Sequence, residues 1–154
     1  MKSKIRENMQ GKILKLFITH NNVQKTRESV KSIFMNSFGI KDDKFYAKDP
    51  MRSILLTSID SYQLASKNGI SLEHGSLGEN LLIDINPYDL VAGDKIRIGD
   101  IILEITQNCT LCKGLSSVNS KLPKLLKNDR GIFAKVIEGS SEIKIGDNVE
   151  ILNH

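Results

Sequence analysis

The sequence predicts a mainly β protein, a closed or nearly closed β-barrel with a few short helices. Strand signals recur along the chain as short apolar or alternating runs bounded by Gly, Asn, Asp or Pro. They number about seven or eight, the count of a small barrel. Helical patterns are too few and too short to cover both faces of a parallel sheet, so closing the sheet on itself is the remaining way to bury the strands and remove open edges.

The first strand is read at 11–19, a run opened by Gly11. Residues 22–38 carry no decisive period and stay ambiguous. The apolar run 53–57 and the run 81–85 are each too short for a helix, and the second stops at the Asn86-Pro87 turn. Between them, Asp60 with Gln63 three residues later forms a capping pattern for a short helix that Asn68-Gly69 ends. Residues 95–98 and 101–106 flank Gly99-Asp100, a two-residue loop suited to a tight hairpin because glycine accepts positive φ. A second short helix is expected near 122–126, with Pro123 in its first turn. Strands at 132–137, 143–145 and 148–152 follow, with turns at Glu138-Gly139-Ser140 and Gly146-Asp147.

A chain of 154 residues suits one domain, here 1–154 with a motif-bearing core at about 11–149. Its 40% apolar and 26% charged composition is that of a globular protein, and no apolar run nears the ~20 residues a membrane span needs. The basic start is followed by polar Glu7, Asn8 and Gln10 where a secretory signal would be apolar, so a cytoplasmic location is expected. The net charge of +4 suits an anionic ligand. Lys121, Lys124, Lys127 and Arg130 form a basic series, but no nucleic-acid-binding motif accompanies it, and neither nucleic acid nor membrane is expected as a partner.

Three places could carry chemistry. Gly75-Ser76-Leu77-Gly78-Glu79-Asn80 puts two glycines and polar side chains just before a strand, where backbone amides could approach a ligand, although positive φ in a tight turn is the better explanation of the glycines taken alone. It is no Walker loop, because Glu79 and Asn80 stand where Lys and Ser/Thr are required. Cys109 and Cys112 follow a strand directly and are expected as reduced thiols at the end of a sheet. A single pair without histidines at ligand spacing does not make a zinc site, and a thioredoxin-like setting is absent; catalysis and plain packing stay open. Arg52 and Arg130 each stand at the head of a strand and could turn a guanidinium to a phosphate in a barrel mouth. No paired carboxylates or serine elbow support hydrolysis.

Taken in order, several pieces resemble the MOSC family, the domain type found at the C-terminus of molybdenum cofactor sulfurases. They are Gly11-Lys12-Ile13, Asp43-Lys44-Phe45-Tyr46, Arg52, the segment Gly75 through Leu81, Leu90 with Gly93-Asp94, Leu103 through Gln107, Arg130 through Ala134, and Gly146-Asp147. The cysteine six residues beyond Thr106 occupies the family's signature position, which falls on Cys112, with Cys109 as an extra thiol. The chain departs from many relatives in having Lys44 rather than histidine after Asp43, and Leu111 rather than proline before the cysteine. The resemblance implies a barrel of the MOSC, pyruvate-kinase-barrel-like type, and a role with the molybdenum cofactor or with sulfur.

On that resemblance the expected function is binding of a molybdopterin-type cofactor, with Cys112 as molybdenum ligand, and reduction of N-hydroxylated small molecules. Gly75, Ser76, Gly78, Glu79 and Asn80 are expected at the pterin and Arg52 and Arg130 at its phosphate. The chain has no flavin or iron–sulfur motif, so reduction needs an external electron donor. The alternatives are a sulfur carrier, in which Cys112 forms a persulfide supplied by a donor protein and Cys109 releases it, and a non-catalytic binding barrel.

Overall fold

A computed structural model describes residues 9–24, 27–109, 115 and 119–152. Among them are eleven strands. β1 (Gln10–Thr19), β2 (Arg27–Val30), β3 (Ser32–Asn36), β4 (Gly39–Ile40) and β5 (Ile54–Ser58) precede helix α1 (Ile59–Lys67). β6 (Leu81–Ile83), β7 (Lys95–Ile98) and β8 (Ile101–Asn108) come next. Helix α2 (Leu122–Leu125), β9 (Ile132–Glu138), β10 (Ser141–Lys144) and β11 (Asn148–Ile151) complete the order.

The sheet runs β11-β7-β8-β9-β5-β6-β1-β2 and closes through β11 against β1, so seven strands form the barrel and β2 hangs from the far half of β1. β1 can serve three partners because it is long. It pairs with β11 at Gln10 to Lys12, with β6 at Ile13 to Leu16, and with β2 at Leu16 to Thr19. A bulge between Ile13 and Lys15 bends it around the corner. Gly11 is required there, since a Cβ would sit 2.3 Å from Asp84 Oδ1 and 2.5 Å from Ile85 Cγ2.

β5 and β6 are a parallel pair, which no tight hairpin can join; the crossover between them contains α1. This explains why Leu81-Leu82-Ile83 is apolar without alternation. Leu81 and Ile83 enter the barrel core, whereas Leu82 enters a second apolar layer with Tyr62, Ala65, Leu77, Leu115, Leu122 and Leu126 beneath the helices. A small sheet, β10-β3-β4, packs Ile33, Met35, Ile40 and Ile143 onto the barrel core.

The Gly99-Asp100 hairpin forms as expected, with Ile98 opposite Ile101 and Gly99 at φ 57°. The short helix also forms, but its cap is Ser58, whose Oγ accepts the Asp60 N–H at 3.0 Å, and not Asp60 itself. At its other end Ile70 N–H reaches the Ala65 carbonyl and Gly69 N–H the Ser66 carbonyl around Gly69 at φ 77°, a Schellman stop. The ambiguous stretch 22–38 contains β2 and β3. β2 was hidden by its polar residues, Arg-Glu-Ser-Val, mostly open to solvent, and β3 is a five-residue run, Ser-Ile-Phe-Met-Asn, whose Ile33 and Met35 are buried. Arg52 lies in a single 3-10 turn, Pro50–Arg52, ahead of β5 and not at the strand's head. No helix among the described residues is long and apolar enough to cross a membrane.

Candidate functional site

A cleft of about 620 Å³ lies where the end of β1, the start of β2, the segment 43–52, β5, the 78–80 loop, the end of β8 and the start of β9 converge. It is lined by Thr19, Arg27, Asp43, Lys44, Phe45, Asp49, Arg52, Leu55, Gly78, Asn80, Cys109, Arg130 and Phe133. Its apolar floor contains Leu55 and Phe133, which are register partners across β5 and β9. Their neighbours Ile54, Leu56, Ile132 and Ala134 all belong to the barrel core. Since side chains alternate along a strand, the cleft opens on the outer flank of the barrel wall, not into the barrel mouth that the sequence suggested.

The cleft is cationic. Arg27, Lys44, Arg52 and Arg130 face two carboxylates, Asp43 and Asp49. The Arg52 guanidinium lies 5.2 Å from the centre of the Phe133 ring, and Arg27 lies 5.4 Å from that of Phe17. Arg130 donates from Nε to the Leu77 carbonyl at 3.2 Å. Arg27 donates to Thr19 Oγ1 at 2.8 Å and to the Glu79 carbonyl. Burial lowers the Arg27 pKa, and Glu79, Asp43 and Tyr62 pull it back, so this cation gains from an anion brought beside it.

Asn80 and Asp43 knit the cleft wall. Asn80 Oδ1 accepts the Leu55 N–H at 3.0 Å, and its Nδ2 donates to the Phe17 carbonyl at 3.2 Å and to Asp43 Oδ1 at 3.3 Å. Asp43 also accepts from Thr19 N–H at 2.8 Å and Phe45 N–H at 3.1 Å. One asparagine therefore ties β1, β5 and the 43–45 turn together.

Glu79 lies behind this wall, fully buried. Its Oε2 accepts from Tyr62 Oη at 2.6 Å and from Gly75 N–H at 3.0 Å, while Oε1 has no hydrogen-bond partner among the described residues. The buried carboxyl raises the Tyr62 hydroxyl well above the usual tyrosine range, with burial the larger cause. Gly75 and Gly78 have φ of 94° and 90°, and a Cβ on Gly75 would lie 2.9 Å from the Phe17 ring. Three of the loop's amides are already bonded within the protein: Gly75 N–H to the buried Tyr62 Oη and Glu79 Oε2, Ser76 N–H to the Glu73 carbonyl, and Gly78 N–H to the Gly75 carbonyl. Ser76 is exposed and its hydroxyl donates to the Glu73 carbonyl at 2.5 Å.

Of the residues singled out in sequence, Arg52, Gly78, Asn80, Cys109 and Arg130 meet in one cleft. Gly75, Ser76 and Glu79 do not line it; Gly75 and Glu79 brace it from behind. Cys109 is buried, and its N–H donates to the Gly131 carbonyl at 3.0 Å. Cys112 lies outside the described residues. Arg27, Thr19 and Tyr62 escaped the sequence reading. Arg27 has a faint signal, a basic residue in a polar stretch, which gains meaning only once β2 is laid beside β1.

Comparison with known proteins agrees with this fold. The family model of the MOSC domain matches residues 43–150, more than two thirds of the chain, and the chain belongs to the MOSC family. The fold is similar to that of the YuaD protein from Bacillus subtilis, at 20% identity and TM-score 0.80, covering 96% of this chain and 98% of that one. It is also similar to YiiM from Geobacillus stearothermophilus, at 15% identity and TM-score 0.70, covering 93% and 75%. YiiM from Escherichia coli gives 16% identity and TM-score 0.69, covering 95% and 71%. No curated protein matches the chain.

Proposed function

We propose that the protein binds a molybdopterin-type cofactor in the flank cleft, with Cys112 as molybdenum ligand, and reduces N-hydroxylated small molecules. The observation that supports this most is the convergence of Arg27, Arg52, Arg130 and Lys44 on one cleft that also contains Cys109, three residues before Cys112. The residues fit the group. Molybdopterin is an anion with a flat ring system and a phosphate, and the cleft offers guanidinium groups for bidentate contacts beside the apolar surface of Leu55, Phe45 and Phe133. Its volume lies within the range of small-molecule sites.

When bound, the cofactor supplies a two-electron redox centre. The chain's own groups do the rest. Arg52, stacked on Phe133, and Arg130, tied to Leu77, hold the phosphate; Arg27, tied to Thr19 and Glu79, offsets the remaining negative charge. Asn80 and Asp43 keep this wall in register, and Glu79 and Tyr62 brace the loop behind it. Cleavage of an N–O bond takes two electrons and two protons and yields the amine and water, so an external reduced protein donates the electrons.

The test is molybdenum and pterin analysis on protein purified from a host that makes the cofactor, comparing the native chain with Cys112→Ser. Stoichiometric molybdenum that the substitution abolishes is expected. A native chain free of molybdenum and pterin refutes the reading.

The sulfur-carrier reading draws on one observation, the buried Cys109 thiol in the same cleft. There Cys112 takes the outer sulfur of a donor persulfide and leaves the donor as a thiol; the Cys109 thiolate then attacks the Cys112 sulfur, expelling hydrosulfide and forming a Cys109–Cys112 disulfide. Intact-mass analysis after exposure to a persulfide donor separates the two. An added sulfur that persists on Cys109→Ser, never forms on Cys112→Ser, and gives way on the native chain to a Cys109–Cys112 disulfide favours the carrier.

A further inference from the structure

We propose that Lys44 is the general acid of the cleft, donating its ammonium proton to the oxygen that leaves when the N–O bond breaks. This rests on the reductase reading and adds to it the group that supplies the first proton. As the two electrons enter, the N–O bond breaks, and the hydroxyl takes the Lys44 proton and departs as water. The nitrogen takes the second proton from solvent and becomes the amine. Lys44, left neutral, regains its proton from water, so the sum is two electrons and two protons consumed for one amine and one water formed.

The other groups of the cleft do not serve this step. Among the described residues four cations line it, and three of them are arginines. A guanidinium stays protonated throughout the range in which proteins work, so Arg27, Arg52 and Arg130 hold anions and release no proton, whereas a lysine does exchange its own. Asp43 is committed as an acceptor, from the N–H groups of Thr19 and Phe45 at 2.8 and 3.1 Å and from Asn80 Nδ2 at 3.3 Å. Asp49 accepts the Met51 N–H at 3.0 Å. The Cys109 thiol is buried, while Lys44 is only half-buried and meets the water that reloads it.

Lys44 is also held where the step needs it. Its N–H donates to the Thr19 carbonyl at 2.8 Å, and the Asp43 carboxylate ties the residues on either side of that bond, Thr19 and Phe45, to one point. Asp42 holds φ of 75° without being glycine, a conformation that persists only where the surroundings impose it. The main chain that carries the lysine is therefore fixed to the end of β1. From there Nζ stands 4.8 Å from the centre of the Phe45 ring, which lines the same cleft. A ring face steadies an ammonium without taking its proton, as a carboxylate partner would. Among the described residues no carboxylate forms an ion pair with Lys44.

The test is reduction of benzamidoxime by cofactor-loaded protein, with reduced methyl viologen as electron donor, in the native chain, Lys44→Ala and Lys44→Arg. Arginine keeps the charge and holds an anion at least as well, but it has no proton to release. Expected is a fall in kcat of about a hundredfold in both variants, the order that a general acid contributes, with KM little changed. Methylammonium should restore turnover to Lys44→Ala in a saturable way and leave Lys44→Arg unchanged. Molybdenum and pterin content should match the native chain in both. Turnover that survives Lys44→Arg overturns the acid role and leaves the reductase reading standing. So does loss of pterin from either variant, which makes Lys44 a cofactor ligand, or a raised KM at native kcat, which makes it a substrate anchor. A native chain that lacks molybdenum, or contains it and reduces no benzamidoxime, overturns the reductase reading and the acid role with it.

Discussion

Replacing Tyr62 with phenylalanine removes a single oxygen from a buried site and tests how the cleft is braced. That oxygen donates to Glu79 Oε2 at 2.6 Å and accepts from Gly75 N–H at 2.9 Å and, more loosely, from Leu77 N–H at 3.4 Å. Gly75 retains Glu79 as a partner, so its loss is partial. The carboxyl is left with that single donor on Oε2 and none on Oε1. A hydrogen bond to a charged group contributes about 1.5 to 3 kcal/mol, and an orphaned buried group adds to the cost. The expected destabilisation is therefore about 3 kcal/mol. For a chain of this size each kcal/mol moves Tm by about 2 to 4 °C, so a fall of about 9 °C is expected in thermal unfolding followed by circular dichroism. A loss below about 2 °C would refute the idea that Tyr62 braces Glu79. Combining Tyr62→Phe with Glu79→Gln should cost clearly less than the sum of the two single changes, because both act on one contact.

Gly131→Ala would place a Cβ 2.8 Å from Leu55 Cδ1 and 3.0 Å from the Leu56 carbonyl oxygen, and overpacking of this kind should cost about 1 to 3 kcal/mol in urea unfolding. Asn80→Ala leaves the Leu55 amide and Asp43 without a shared partner and should lower stability by about 2 to 4 kcal/mol, read from the urea midpoint. Arg52→Ala and Arg130→Ala should reduce pterin retention on gel filtration while leaving Tm within about 2 °C, since both act at the cleft surface. The pKa of His74, which stands edge-on to Tyr62, is lowered below its ordinary 6.5, by burial first and then by Lys15. The unfolded chain then binds the proton more readily than the folded one, so stability falls as pH drops through about 6.5. Tm measured from pH 7.5 to 5.5 should decline less in His74→Gln than in the native chain.

The barrel was legible because its strands are short, apolar and punctuated by turn residues whose backbone demands are local. The Gly99-Asp100 hairpin depends only on its own residues and their immediate neighbours. Strand β2 was not legible because its polar residues become a strand only through pairing with β1, and β3 because its run of five residues is too short to stand out before it pairs with β10. The cap of α1 was misread by two residues, because Asp60 and Ser58 are both competent and the backbone turns helical directly after Ser58, which is still extended at φ −83° and ψ 147°.

The candidate site divides along the same line. Arg52, Arg130, Cys109 and the Gly75 to Asn80 segment could be picked out because unusual residue types or glycine spacing mark them. Their roles could not. The glycine loop reads as a cradle of amides, yet those of Gly75, Ser76 and Gly78 are taken up by Tyr62, Glu79 and the loop's own carbonyls. Asn80 reads as a ligand donor and is instead the knot between β1, β5 and Asp43. By itself the sequence determined a β-barrel and a short set of chemically able residues, because periodicity and turn chemistry are local properties, while the order of its motifs carried the resemblance to the family. Only the tertiary structure decided which of them share a cleft, that Arg27 joins them, and that the cleft lies on the barrel's flank. Those facts depend on strand register, where a shift of one residue turns a side chain from one face of the wall to the other.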